Sequence, residues 1–149
     1  MTSSGRARPQ VHAGRLWAGG VATAVVAALV ALVDVLLAQG ALDIVMVRPP
    51  LIPVPGSFAL RYAVTAAVLA LLATALAHLL LATTPRPRSF FSWIVGLATA
   101  VGVVLPFTLD GTTAGRLATA VVDLVVGLAV LSLLSSVMAR ALRPGSRVP

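Results

Sequence analysis

LWAGGVATAVVAALVALVDVLLA, residues 16–38, is an apolar run of 23 residues in which Asp34 is the only charged side chain. An α-helix needs about 20 apolar residues to cross the ~30 Å hydrocarbon core of a bilayer. Three further stretches of comparable length and composition follow, at residues 59–81, 90–109 and 117–138. The sequence therefore predicts an all-α fold, a four-helix transmembrane bundle.

The composition excludes an ordinary soluble domain. Of the 149 residues, 59% are hydrophobic and only 10% are charged, whereas about 25% are charged in soluble proteins. The four spans use most of the chain, so we predict one membrane domain over residues 15–139, with a disordered cytoplasmic tail at 1–14 and a basic one at 140–149. The first span exceeds the 7–15 apolar residues of a signal peptide, and we expect it to be retained.

The arginines predict the orientation of the bundle. If both termini are cytoplasmic, eight of the eleven arginines lie on the cytoplasmic side, and Arg48, Arg61 and Arg116 lie on the other. The eight are Arg6, Arg8, Arg15, Arg86, Arg88, Arg140, Arg143 and Arg147. This bias follows the positive-inside rule, and all seven aromatic residues fall near predicted span ends, as an interfacial belt requires. We therefore predict a multi-pass protein of the inner (plasma) membrane.

The same arginines also indicate which kinds of partner the protein binds. A net charge of +7 is compatible with nucleic-acid binding, but the basic residues flank spans and accompany no nucleic-acid motif, so that class is excluded. The predicted partners are the lipid bilayer, whose anionic head groups arginine can hold, and a second copy or another membrane protein. Gly20, Ala24 and Ala28 have the four-residue spacing of close helix contacts. Because alanine is common in the chain, this spacing favours ordinary packing within the chain, and a dimer is the alternative.

No residue set predicts a cofactor, a metal site or catalysis. The chain has no cysteine, which removes disulfides, thiolate ligands and thiol nucleophiles. His78 stands alone near the end of the second span, without the further ligands that a metal requires. We predict that the protein is not an enzyme, because no nucleophile–base pair or catalytic motif is present.

Four charged side chains form the predicted polar cluster: Asp34, Arg61, Arg116 and Asp123. Asp123 follows Arg116 by seven residues, which places both on one helix face about 10 Å apart along the axis. An unpaired carboxylate is costly at that depth, so we predict that Asp123 pairs with Arg61 or Arg116 and that Asp34 joins the network. A proton- or cation-binding role for the two carboxylates is the alternative.

The connection at residues 39–58 combines Pro49, Pro50, Pro53 and Pro55 with several apolar side chains. The prolines oppose a helix. Because an exposed loop does not need apolar side chains, we expect this segment to lie against the end of the bundle or in the membrane interface.

Several blocks resemble a known family. They are RLWAGG at 15–20, TPRPR at 84–88, FFSWIVGLAT at 90–99, LPFT at 105–108, and ATAV at 118–121 leading into Asp123. These blocks are similar to small four-span actinobacterial membrane proteins whose defining domain has no assigned function. The resemblance covers most of residues 15–138, apart from the proline-rich loop. It implies an integral inner-membrane protein and supplies no catalytic residue.

Two hypotheses for function follow from these residues. The first is a non-catalytic structural or accessory subunit, or one protomer of a homo-oligomer. The second is a small proton- or cation-coupled transporter in which Asp123 and Asp34 bind the ion. A water-accessible cavity at Asp123 favours the transporter, and a dry, fully paired cluster favours the structural role.

Overall fold

The computed structural model describes residues 13–47 and 55–141. They form the four helices α1 (Ala13–Leu36), α2 (Phe58–Thr83), α3 (Pro87–Val104) and α4 (Thr113–Ala141), and these residues contain no strand. A π-helical turn, Leu37–Ala41, extends α1, and a 3₁₀ turn, Leu105–Thr108, extends α3. The predicted all-α fold is confirmed.

Four helical segments are long and apolar enough to cross a membrane: Gly14–Ala41, Phe58–Thr83, Pro87–Thr108 and Thr113–Arg140. The predicted four-span architecture is therefore confirmed, and the chain is a multi-pass membrane protein. Of the two predicted tails, residues 1–12 and 142–149 lie outside the described part of the chain. The remaining tail residues, 13–14 and 140–141, belong to α1 and α4.

Local signals account for where the helices begin and end. Ser57 caps α2, its hydroxyl accepting a hydrogen bond from the Leu60 N–H at 3.3 Å. Thr84 ends α2 in an extended conformation (φ −118°, ψ 137°), as expected for a residue that precedes a proline. Pro87 opens α3 at a position where the missing N–H costs nothing. Beyond α1, Asp43 adopts a left-handed conformation (φ 52°) that stops the helix.

The helices alternate in direction and enclose one core. We call the end where α1 and α3 finish the loop end, and the opposite end, where α1 begins and α4 finishes, the terminal end. Both α1 and α3 pack on α2 and on α4, and α2 and α4 also touch each other across the bundle. The largest fully buried side chains at the terminal end are Leu16, Phe91, Leu134 and Met138.

Small residues bring the helices close together. A Cβ added at Gly20 of α1 would overlap the side chain of Thr74 on α2, and one at Gly127 of α4 would overlap Thr99 on α3. Gly20 and Ala24 are buried within the chain's own bundle, so their four-residue spacing serves packing within the chain. In a bilayer, such close contacts supply the van der Waals energy that holds helices together.

Candidate functional site

The polar contact inside the bundle joins Tyr62 of α2 to Asp123 of α4. The Tyr62 hydroxyl donates a hydrogen bond to Asp123 Oδ1, and only 6% of the Tyr62 surface is exposed. Helices α2 and α4 lie diagonally opposite each other in the bundle, so this bond links two helices that face each other across its centre. The ring also packs on Phe58, one turn earlier, with centroids 5.8 Å apart.

Asp123 also faces α3. A Cβ added at Gly102 would lie 3.7 Å from Asp123 Cβ and 3.8 Å from Oδ2, which is ordinary van der Waals contact. Gly102 of α3 therefore lies beside the carboxylate, and an alanine at this position would fit as well. The carboxylate of Asp123 is consequently surrounded by side chains and backbone from three helices and is half-buried.

Asp34 reaches the same region from α1. It lies in the last turn of α1, at the loop end of the bundle, where α2 begins. Its Oδ2 atom is buried and has no hydrogen-bond partner among the described residues. We define the acidic cluster as Asp34, Tyr62 and Asp123, contributed by α1, α2 and α4.

The predicted pairing of these aspartates with arginine is wrong. Neither Arg61 nor Arg116 forms an ion pair with Asp34 or Asp123, and the buried Nε of each arginine has no hydrogen-bond partner within residues 13–47 and 55–141. Arg116 lies about 10 Å from Asp123 along their common helix, and its side chain does not bridge that separation. Arg61 precedes Tyr62 and therefore points about 100° away from it around α2.

The residue that sequence reasoning missed is Tyr62. The sequence predicts only that Tyr62 belongs to the aromatic belt at a span end. A buried tyrosine hydroxyl needs a hydrogen-bond partner, and Asp123 is an acceptor in a facing span. That requirement could have indicated a bond between Tyr62 and Asp123. The sequence does not show which helix Tyr62 faces, because that depends on the rotation of α2 about its axis.

A second polar contact ties the connection after α1 to α4. The Val47 N–H donates a hydrogen bond of 3.1 Å to Thr119 Oγ1, and the Thr119 hydroxyl donates to the Gly115 carbonyl at 2.9 Å. A Cβ at Gly115 would overlap the Val45 carbonyl oxygen. Met46 and Val47 are buried, so the expected contact of this apolar connection with the bundle is confirmed for these residues. Residues 48–54 lie outside the described part.

His78 is remote from the acidic cluster. It lies near the terminal end of α2, and its Nδ1 is buried without a described hydrogen-bond partner. Among the residues that the structure describes, no group of three or more histidine or acidic side chains is arranged to hold a metal ion. The absence of cofactors and metals stays a prediction.

One comparison identifies the family. The model of a family of unknown function (DUF6069) matches residues 11–140, and the chain belongs to this family. The expected resemblance to a membrane family without assigned function is thereby confirmed, although the match also spans the proline-rich loop that was expected to lie outside it. The actinobacterial source stays a prediction. No curated protein and no solved structure matches the chain.

Proposed function

We propose that this member of a family of unknown function is a non-catalytic structural or accessory protein of the inner (plasma) membrane, with both termini in the cytoplasm. The observation that carries the proposal is the hydrogen bond from Tyr62 to Asp123. It gives the carboxylate in α4 a partner within the chain, so this group need not be explained by a substrate. Interhelical hydrogen bonds of this kind hold membrane helices in register.

The contact between Thr119 and Val47 supports the same role. It satisfies a buried backbone N–H of the connection and fastens that connection to α4 at the loop end. Helix α4 therefore holds two other segments: α2, through the bond from Tyr62 to Asp123, and the connection after α1, through Thr119. A rigid loop end of this kind suits a protein whose surface is presented to a partner.

The second candidate function is a small proton- or cation-coupled transporter. The observation that favours it is Asp34, whose Oδ2 is buried without a described partner near Tyr62. The Tyr62 hydroxyl bonds to Asp123 and not to Asp34, and no described arginine pairs with either carboxylate. Because an uncompensated charge is costly within a bilayer, a proton or a monovalent cation would complete such a site.

A double-mutant cycle with a transport assay tests the two candidates. Tyr62→Phe and Asp123→Asn, alone and combined, are compared in detergent melting and in proton flux into proteoliposomes. The structural role predicts that each variant melts at lower temperature and that the two effects are coupled by about 0.6–1.7 kcal/mol. It also predicts that wild type and variants carry no flux above that of empty vesicles.

The matched control is Asp43→Asn, which alters an exposed aspartate outside the acidic cluster. It should leave melting unchanged. Unaltered melting of Asp123→Asn, together with a proton flux that the wild type carries and this variant lacks, would establish the transporter and refute the structural role. An affinity pull-down from native membrane then identifies the partner that an accessory protein requires.

A further inference from the structure

A groove runs along the lipid-facing side of α3 at the terminal end of the bundle. It is lined by Ser89, Ser92, Trp93, Gly96 and Leu97, whose spacings of three and four residues place them on one face of the helix. The groove is shallow, because the five residues that line it all belong to α3. It is open along its length, so a ligand would enter from the bilayer and not from water.

The groove changes polarity along its length. The hydroxyl-bearing residues Ser89 and Ser92 lie in the first turns of α3, and Leu97, which is 61% exposed, lies deeper in the span. A Cβ added at Gly96 would have no atom within 4 Å, so the glycine forms an open notch between Trp93 and Leu97. A polar entrance above an apolar channel matches the shape of a phospholipid, with its head group at the helix start and an acyl chain along the notch.

Two arginines lie at the polar end of the groove. Arg88 precedes Ser92 by about one helical turn, and Arg86 is the residue just before α3 begins, so both lie at the end of the helix where the entrance is. Both arginines are exposed. The exposed Trp93 is well placed for the head-group region, where amphipathic rings accumulate.

No acidic side chain balances that charge. The four acids of the chain, Asp34, Asp43, Asp110 and Asp123, all lie in the half of the bundle nearer the loop end. The entrance of the groove is therefore cationic, which is complementary to a phosphate that carries no compensating positive group.

We propose that this groove binds an anionic phospholipid. Arg86, Arg88 and the two serine hydroxyls hold the phosphate, and one acyl chain lies along the notch at Gly96. The site is separate from the acidic cluster. The proposal does not depend on which leaflet the terminal end occupies, because the purified protein is tested directly with anionic lipid.

Lipid binding to the purified full-length protein tests the proposal. Native mass spectrometry counts retained phosphatidylglycerol and phosphatidylcholine of identical acyl chains. Each arginine near a lipid surface contributes about 1 kcal/mol, which is about five-fold in affinity, so two arginines give a preference for phosphatidylglycerol of about 25-fold. The double variant Arg86→Gln/Arg88→Gln should abolish most of that preference. The matched control Arg15→Gln/Arg140→Gln, at the same end but outside the groove, should retain most of it.

Gly96→Leu probes the acyl-chain part of the site. It should weaken the binding of both lipids several-fold and leave the melting temperature unchanged, because the added side chain projects into open space. Equal retention of the two lipids by wild type, or an undiminished preference in Arg86→Gln/Arg88→Gln, would refute the proposal. So would loss of a dimer in Gly96→Leu with unaltered lipid binding, since the groove would then be an interface between two copies.

Discussion

Thr119 makes two hydrogen bonds of different kinds. Its hydroxyl accepts from the Val47 N–H and donates to the carbonyl one turn back in its own helix. The buried hydroxyls of Thr23, Thr65 and Thr74 also donate to carbonyls four residues back. That bond is internal to one helix and changes little when it is lost, whereas the bond to Val47 closes a connection onto the bundle.

This difference predicts unequal costs for two conservative substitutions. Thr119→Val should destabilise the protein by about 1–3 kcal/mol, because it leaves the buried Val47 N–H without an acceptor. Thr23→Val removes only the internal bond and should cost less than about 1 kcal/mol. Thermal or denaturant unfolding in detergent measures both. Equal losses of stability for the two variants would contradict a special role for Thr119.

The helices differ in how closely they approach their neighbours. Helix α1 presents Gly20 to Thr74 of α2 with no space for a further carbon atom, whereas Gly96 of α3 faces open space. The first contact is part of the packing of the bundle, and the second is part of the lipid-facing groove. The same residue type therefore serves two purposes in two elements, according to what lies opposite it.

Alanine substitutions separate these two purposes. Gly20→Ala should lower the melting temperature, because the added carbon atom overlaps Thr74 and forces α1 and α2 apart. Gly96→Ala should leave it unchanged or raise it, since alanine favours a helix by about 0.5–1 kcal/mol over glycine. Removing the obstruction in Gly20→Ala/Thr74→Ala should restore part of the lost stability. An unaltered melting temperature for Gly20→Ala would show that this contact is not close.

The molecule as a whole is electrically polarised. Its acids lie toward the loop end, while the arginines described at the terminal end, Arg15, Arg86, Arg88 and Arg140, have no acidic neighbour in sequence. This distribution matches the positive-inside bias of membrane proteins. It is the basis for the proposal that the terminal end faces the cytoplasm.

Single cysteines test that orientation, since the chain has none of its own. Arg86→Cys lies in the turn at the terminal end and Asp110→Cys in the turn at the loop end, and both positions are exposed. On intact cells, a membrane-impermeant thiol reagent should label Asp110→Cys and label Arg86→Cys only after the membrane is opened. The reverse pattern would mean that the termini lie outside the cytoplasm.

The sequence by itself determined the helices, their number and the membrane class, because these depend on local properties. A run of 20 or more apolar residues can satisfy its backbone groups in a bilayer only as a helix, so residues 16–38 already required a span. Prolines and Ser57 then set several helix ends to within a few residues.

Only the tertiary structure decided which polar groups meet. The pairing of Asp123 depends on the rotation of α2, and that rotation is set by close contacts such as Gly20 with Thr74. One residue along α2 turns the direction of a side chain by about 100°, which is enough to replace Arg61 by Tyr62 as the residue that faces α4. Charge complementarity favours an arginine, but it cannot overcome the packing that fixes each helix face.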